Sequence, residues 1–213
     1  MFDNKPDYFF QGKQNAGHQP IVLEDNDTQG SKGLDFSGVL TFVLADMTVF
    51  SLLFCAFLID RSSAIDLFTA GTLSLDLAFG LFNTIVLIVS GVFMVLAVNA
   101  AKEKNIKATR RNLLFALLVG FAFGISKIFE YSAKFELGLD ITTNEFYMYY
   151  FALTGAHFLH FLGGVGAIIV LLILGKSDEH KEAYFGHVES AGIYWHMVDL
   201  LWLVIFPLLY LLV

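Results

Sequence analysis

Apolar residues run almost unbroken through five stretches, about residues 36–59, 77–99, 112–134, 146–174 and 191–213, and polar residues collect between them. Each stretch reaches the roughly 20 residues that an α-helix needs to cross about 30 Å of hydrocarbon. The pattern therefore predicts an all-α membrane protein in which residues 36–213 form one domain of five transmembrane helices. Turn formers fill the connections, as at residues 60–64 and 138–144. Residues 1–35 differ in character: they are polar, rich in Asp, Glu and Gly, and lack the basic start and apolar core of a secretory signal. A flexible acidic arm is expected there.

Composition agrees with a polytopic protein: 56% of residues are hydrophobic and 15% charged, and the mean hydropathy is +0.66. Cys55 is the only cysteine and falls inside the first span, which removes disulfides and thiolate metal clusters. The net charge of −7 lies largely in the arm and loops and argues against a nucleic-acid partner. Basic residues set the expected orientation, because they resist translocation. Lys5, Lys13, Lys32, Lys102, Lys104, Lys107, Arg110, Arg111, Lys176 and Lys181 share one side, and only Arg61 and Lys134 lie on the other. The N-terminus is predicted to be cytoplasmic.

Ionisable side chains in hydrocarbon cost several kcal/mol unless paired, so each one inside a span demands a partner. They are Asp46 in the first span, Lys127 and Glu130 in the third, His157 and His160 in the fourth, and His196 and Asp199 in the fifth, with Glu189 one heptad before His196. At 1.5 Å per residue, Asp46, His157, His160, His196 and Asp199 fall at about one depth in the cytoplasmic half. Lys127 and Glu130 fall near the outer boundary, where a local pair with each other or with Lys134 suffices. The expectation is that both histidines of the fourth span bond across an interface to the His196–Asp199 face of the fifth.

Two further sequence features concern packing. Ala116, Gly120 and Gly124 form a small-residue stripe that lets a neighbouring backbone approach. Pro207 is expected to kink the last helix by removing a backbone bond.

The same imidazoles raise a second possibility. A diiron carboxylate bundle needs Glu and Glu-x-x-His ligands, and the chain offers His-x-x-His, His-x-x-Asp and Lys-x-x-Glu instead. A haem held by His196 and one of His157 or His160 is compatible with spacing alone, so a self-contained membrane metal or haem protein is the alternative to a hydrogen-bonded cluster. Asp46 has three readings: a proton carrier, an anchor for a lipid head group, or a partner for a neighbouring side chain.

The segment MYYFALTGAHFLHFLGG (148–164) followed by ESAGIYWHMVDLLW (189–202) resembles the paired signature of haem-copper oxidase subunit III. FVLADMTVFSLLFCAFL (42–58), FNTIVLIVSG (82–91) and KIFEY (127–131) are similar to further family motifs in the same order. Within that family the chain looks most like the five-helix NorE branch associated with nitric oxide reductase, and it has Asp46 where the cytochrome oxidase form has glutamate. The resemblance implies a non-catalytic inner-membrane subunit without haem, copper or iron of its own. It would bind phospholipid and pack on catalytic subunit I of a haem-copper oxidase or nitric oxide reductase, supporting that subunit's stability or proton uptake. It further implies that Asp46 and Glu130 are lipid or proton-path carboxylates, and that His157, His160, Glu189, His196 and Asp199 form the interhelical network.

Overall fold

The computed structural model describes residues 27–175 and 181–212, with side chains described from residue 38 and again from 183. Its elements are helices α1 (Asp27–Ser63), α2 (Ile65–Leu73), α3 (Leu77–Lys102), α4 (Ile106–Glu136), α5 (Glu145–Leu174) and α6 (Lys181–Phe206), then a π-helical turn, Pro207–Leu211. No strand occurs among the described residues. Five of the segments are long and apolar enough to cross a membrane: Gly38–Ser63, Leu77–Lys102, Ile106–Glu136, Glu145–Leu174 and Ala183–Leu211. Helix α1 begins at Asp27, inside the stretch read as the arm, and residues 1–26 lie outside the described residues.

The spans start where the local chemistry satisfies free backbone N–H groups. Asp76, Asn105 and Asn144 cap α3, α4 and α5, accepting from the N–H of Ala78, Ala108 and Tyr147. Helix α2 is absent from the hydropathy pattern because nine residues make only about 14 Å of helix, too short to span. It is held by aromatic packing instead: Phe68 is buried, with its ring centroid 5.2 Å from that of Phe57 and 6.0 Å from that of Phe146. Gly71 leaves room for the Phe146 ring.

The core lies between α3, α4, α5 and α6, and α1 packs along α5 and α6. The small-residue stripe of α4 works in two ways. At Ala116 the backbone is close enough for Ser90 of α3 to donate to its carbonyl at 2.7 Å. At Gly120 and Gly124 the space goes to rings, since a Cβ there would stand 3.1 Å from Trp195 and 3.2 Å from Phe161. Pro207 ends α6, and the chain continues with the wider π winding, a common adaptation where the regular bonding ladder is interrupted. That winding buries Leu209 and Tyr210.

Candidate functional site

The polar groups expected to converge in one cluster separate into three interfaces. Helix α1 presents Phe42, Asp46 and Phe50 at four-residue spacing, and His160 of α5 fits against this stripe. Its Nε2 is 3.0 Å from Asp46 Oδ1, and its ring centroid is 5.6 Å from that of Phe50. Its Nδ1 lies 2.7 Å from the carbonyl oxygen of Ala156. A carbonyl can only accept, so Nδ1 carries a hydrogen, and the contact to Asp46 then requires one more proton, on either Nε2 or the carboxyl. Tyr194 closes the shell from α6 by donating to the His160 carbonyl at 3.0 Å.

His157 turns the other way. It is fully buried, its Nε2 donates to the Val198 carbonyl on α6 at 3.0 Å, and Phe123 and Trp202 pack on its ring at 5.5 and 5.3 Å. Residues three apart on a helix point about 60° away from each other, enough to send His157 towards α6 and His160 towards α1.

His196 and Asp199 face neither histidine. His196 Nδ1 lies 3.6 Å from Asp199 Oδ2 on the same helix, and a Cβ at Gly91 of α3 would stand 2.6 Å from that oxygen. Trp195, Val198 and Trp202 occupy the buried side of α6, which turns the His196–Asp199 side to α3. The expected cross-bonding between the two sets is therefore corrected: one backbone carbonyl, at Val198, is the link. Glu189 is half-buried and has no hydrogen-bond or ion-pair partner among the described residues.

Lys127 and Glu130 do pair, at 2.9 Å, but the pair is not lightly placed: Lys127 is 0% exposed and Glu130 7%. Burial of this kind needs every charge satisfied. Glu130 accepts from Tyr150 at 2.7 Å and from Tyr210, and Lys127 Nζ donates to Tyr210 at 3.2 Å. The ammonium sits 4.9 Å from the centre of the Trp202 ring and 5.4 Å from that of Tyr150. Lys134 stands apart, donating to the Ser74 carbonyl at 2.7 Å.

Tyr147, Tyr150 and Tyr210 escaped the sequence reading, although a signal exists for the first two. Tyr147, Tyr150, Thr154 and His157 recur at spacings of three, four and three along an otherwise apolar helix, marking one inward polar seam. Thr154 on that seam meets Tyr131 at 2.7 Å. Tyr210 carries no such signal, because the π turn after Pro207 sets its direction.

Among the described residues no three His, Cys, Asp or Glu side chains gather where they could share an ion. The rings of Phe123 and Trp202 occupy the surroundings of His157 that a macrocycle would need.

The family model for cytochrome c oxidase subunit III matches residues 21–213. The chain belongs to the cytochrome c oxidase subunit III family. A cytochrome c oxidase subunit 3 of Synechocystis sp. is 33% identical over 191 residues, 89% of this chain and 80% of the relative. One from Drosophila yakuba is 31% identical, covering 81% of this chain and 67% of the relative. A protein of Aeropyrum pernix named heme-copper oxidase subunit I+III is 30% identical over 82% of this chain, which spans 22% of that relative's length. As a haem-copper oxidase subunit III the chain is a multi-pass membrane protein, with its polar contacts disposed between helices as described.

Proposed function

We propose that this subunit III packs on catalytic subunit I of a haem-copper oxidase in the plasma membrane, contributes no haem, copper or iron of its own, and supports the larger subunit's stability and proton uptake. The observation that carries the proposal is the fused relative: a chain whose name joins subunits I and III contains a segment similar to 82% of this one. The N-terminus is cytoplasmic in this reading, with Lys102, Lys104, Lys107, Arg110 and Arg111 on the same side. In this reading the larger subunit belongs to an oxygen-reducing oxidase or, following the NorE resemblance, to a nitric oxide reductase.

The chain's own chemistry in that role centres on two places. Asp46 and His160 form a carboxyl–imidazole contact at a helix interface, a place where a proton could be passed. Beside them, a groove of 580 Å³ between α1, α5 and α6 is lined by Phe42, Val170, Leu174 and Tyr194 among others, and it takes the acyl chain of a phospholipid. Phe42 and Tyr194 connect the two, being part of the groove wall and of the shell around His160. Glu130 has the structural part, anchoring Lys127, Tyr150 and Tyr210.

Affinity purification of the tagged chain in mild detergent tests this. Co-purification of a large subunit, with a Soret band that stays with that subunit when the two are separated, is the expected result. Haem or stoichiometric iron retained by the isolated chain would instead favour a cofactor protein and overturn the proposal.

A further inference from the structure

A second groove, distinct from the one beside Asp46 and His160, opens between α4 and α5 at the bundle end that holds the 103–105 connection. Its volume is 440 Å³, and it is lined by Leu114, Ile169, Leu172 and Ile173 with Arg110 and Arg111 at its mouth. The walls suit an acyl chain. The two guanidiniums suit a phosphate, which they bind in bidentate fashion.

Three observations make the mouth a built feature rather than a pair of surface charges. Arg110 is half-buried and its Nε is shielded from solvent without a hydrogen-bond partner. Its stem runs over the end of α5, where a Cβ on Gly175 would come within 2.9 Å of Arg110 Cδ. Neither arginine has an ion-pair partner among the described residues, and exposed Lys107 precedes Arg111 by one turn on the same side of α4.

We propose that this groove is a site for an anionic phospholipid, the phosphate held by Arg110 and Arg111 and one acyl chain lying along Leu114, Leu172 and Ile173. Charge complementarity selects the occupant: basic pockets between membrane helices near the cytoplasmic surface favour acidic head groups.

Native mass spectrometry of the full chain, with phosphatidylglycerol and phosphatidylcholine of equal acyl length added separately, tests the site. The wild type should retain phosphatidylglycerol preferentially. Each arginine contributes about fivefold to that preference, so R110Q/R111Q should lower it by about 25-fold. Because Arg110 also packs on α5, R111Q alone is the variant that leaves the fold intact, and it should lose about fivefold with an unchanged helical spectrum. I173W, which fills the groove without altering charge, should weaken both lipids. Equal retention of the two lipids by the wild type, or a preference that survives R110Q/R111Q, would overturn the assignment. So would complete displacement of the lipid by inorganic phosphate at constant ionic strength.

Discussion

Asp46 and His160 meet across the α1–α5 interface with 3.0 Å between carboxyl oxygen and ring nitrogen, and the opposite ring nitrogen is engaged by the Ala156 carbonyl at 2.7 Å. Both sides of the imidazole are thus held by oxygen atoms, one from each helix. The interface depends in part on this contact, with Tyr149 donating to Asp60 at 2.6 Å and Arg61 donating to the Leu212 carbonyl at 3.3 Å as further ties of α1 to the bundle.

Removing the acid should expose that dependence. D46L leaves His160 Nε2 without a partner and should lower stability by about 1–3 kcal/mol. D46N, which still hydrogen-bonds, should fall between D46L and the wild type. Thermal unfolding in detergent measures both, and a D46L protein as stable as the wild type would show that the contact is inconsequential.

The Lys127–Glu130 pair is buried, so breaking it from one side should be severe. K127M alone should cost about 3–5 kcal/mol, because Glu130 keeps an uncompensated charge. K127M/E130Q should recover much of that loss, since the amide oxygen can still accept from Tyr150 and Tyr210. A double-mutant cycle by denaturant unfolding checks this, and simple additivity of the two single losses would refute it.

Tyr210 reaches Glu130 because the chain winds wide after Pro207. Y210F should cost about 1.5–3 kcal/mol, the range for a hydrogen bond to a charged group. P207A permits a regular helix that swings residue 210 away, so its loss should overlap that of Y210F rather than add to it. Unfolding of both single variants and the double variant separates overlap from independence.

Gly91 leaves space for Asp199. G91A would put a methyl group 2.6 Å from the carboxylate and should cost about 1–3 kcal/mol by overpacking. G166A is the control: nothing lies within 4 Å of its Cβ, and it should be neutral or stabilising by up to about 1 kcal/mol. Equal melting of the two variants would contradict the packing.

The 137–144 connection should respond to acid. Hydrogen bonds from Thr142 and Thr143 to Asp140 hold its carboxyl below the usual aspartate range. A depressed folded-state pKa stabilises the ionised turn, so its contribution is complete above the ordinary aspartate pKa and fades as pH falls through the lower folded value. Amide exchange across residues 140–143 should quicken over that acidic window, and D140N should remove the pH response.

Much of the site was legible in the residues, and the misses have a pattern. The shared height of Asp46, His157, His160 and Asp199 followed from counting 1.5 Å per residue, and the contacts of His160 to Asp46 and of His157 to Val198 agree with it. Direction around the helix axis did not follow. The 60° between His157 and His160 could have aimed both at α6, and only the position of α1 and the Trp195–Val198–Trp202 side of α6 divided them. The depth of Lys127 misled for a similar reason: nearness to a helix end does not mean exposure when Trp202 and three tyrosines close over it.

The sequence by itself determined that the chain is a five-span helical membrane protein, because its apolar runs are long enough to cross hydrocarbon as helices and leave each ionisable residue conspicuous; its motifs carried the resemblance to subunit III. Which of those residues meet was decided by the tertiary structure. A helix fixes rise and angle along its own axis, but partners depend on which neighbours surround it, and that arrangement comes from packing contacts far apart in the chain. Tyr210 on Glu130 and Asp46 on His160 are of that kind.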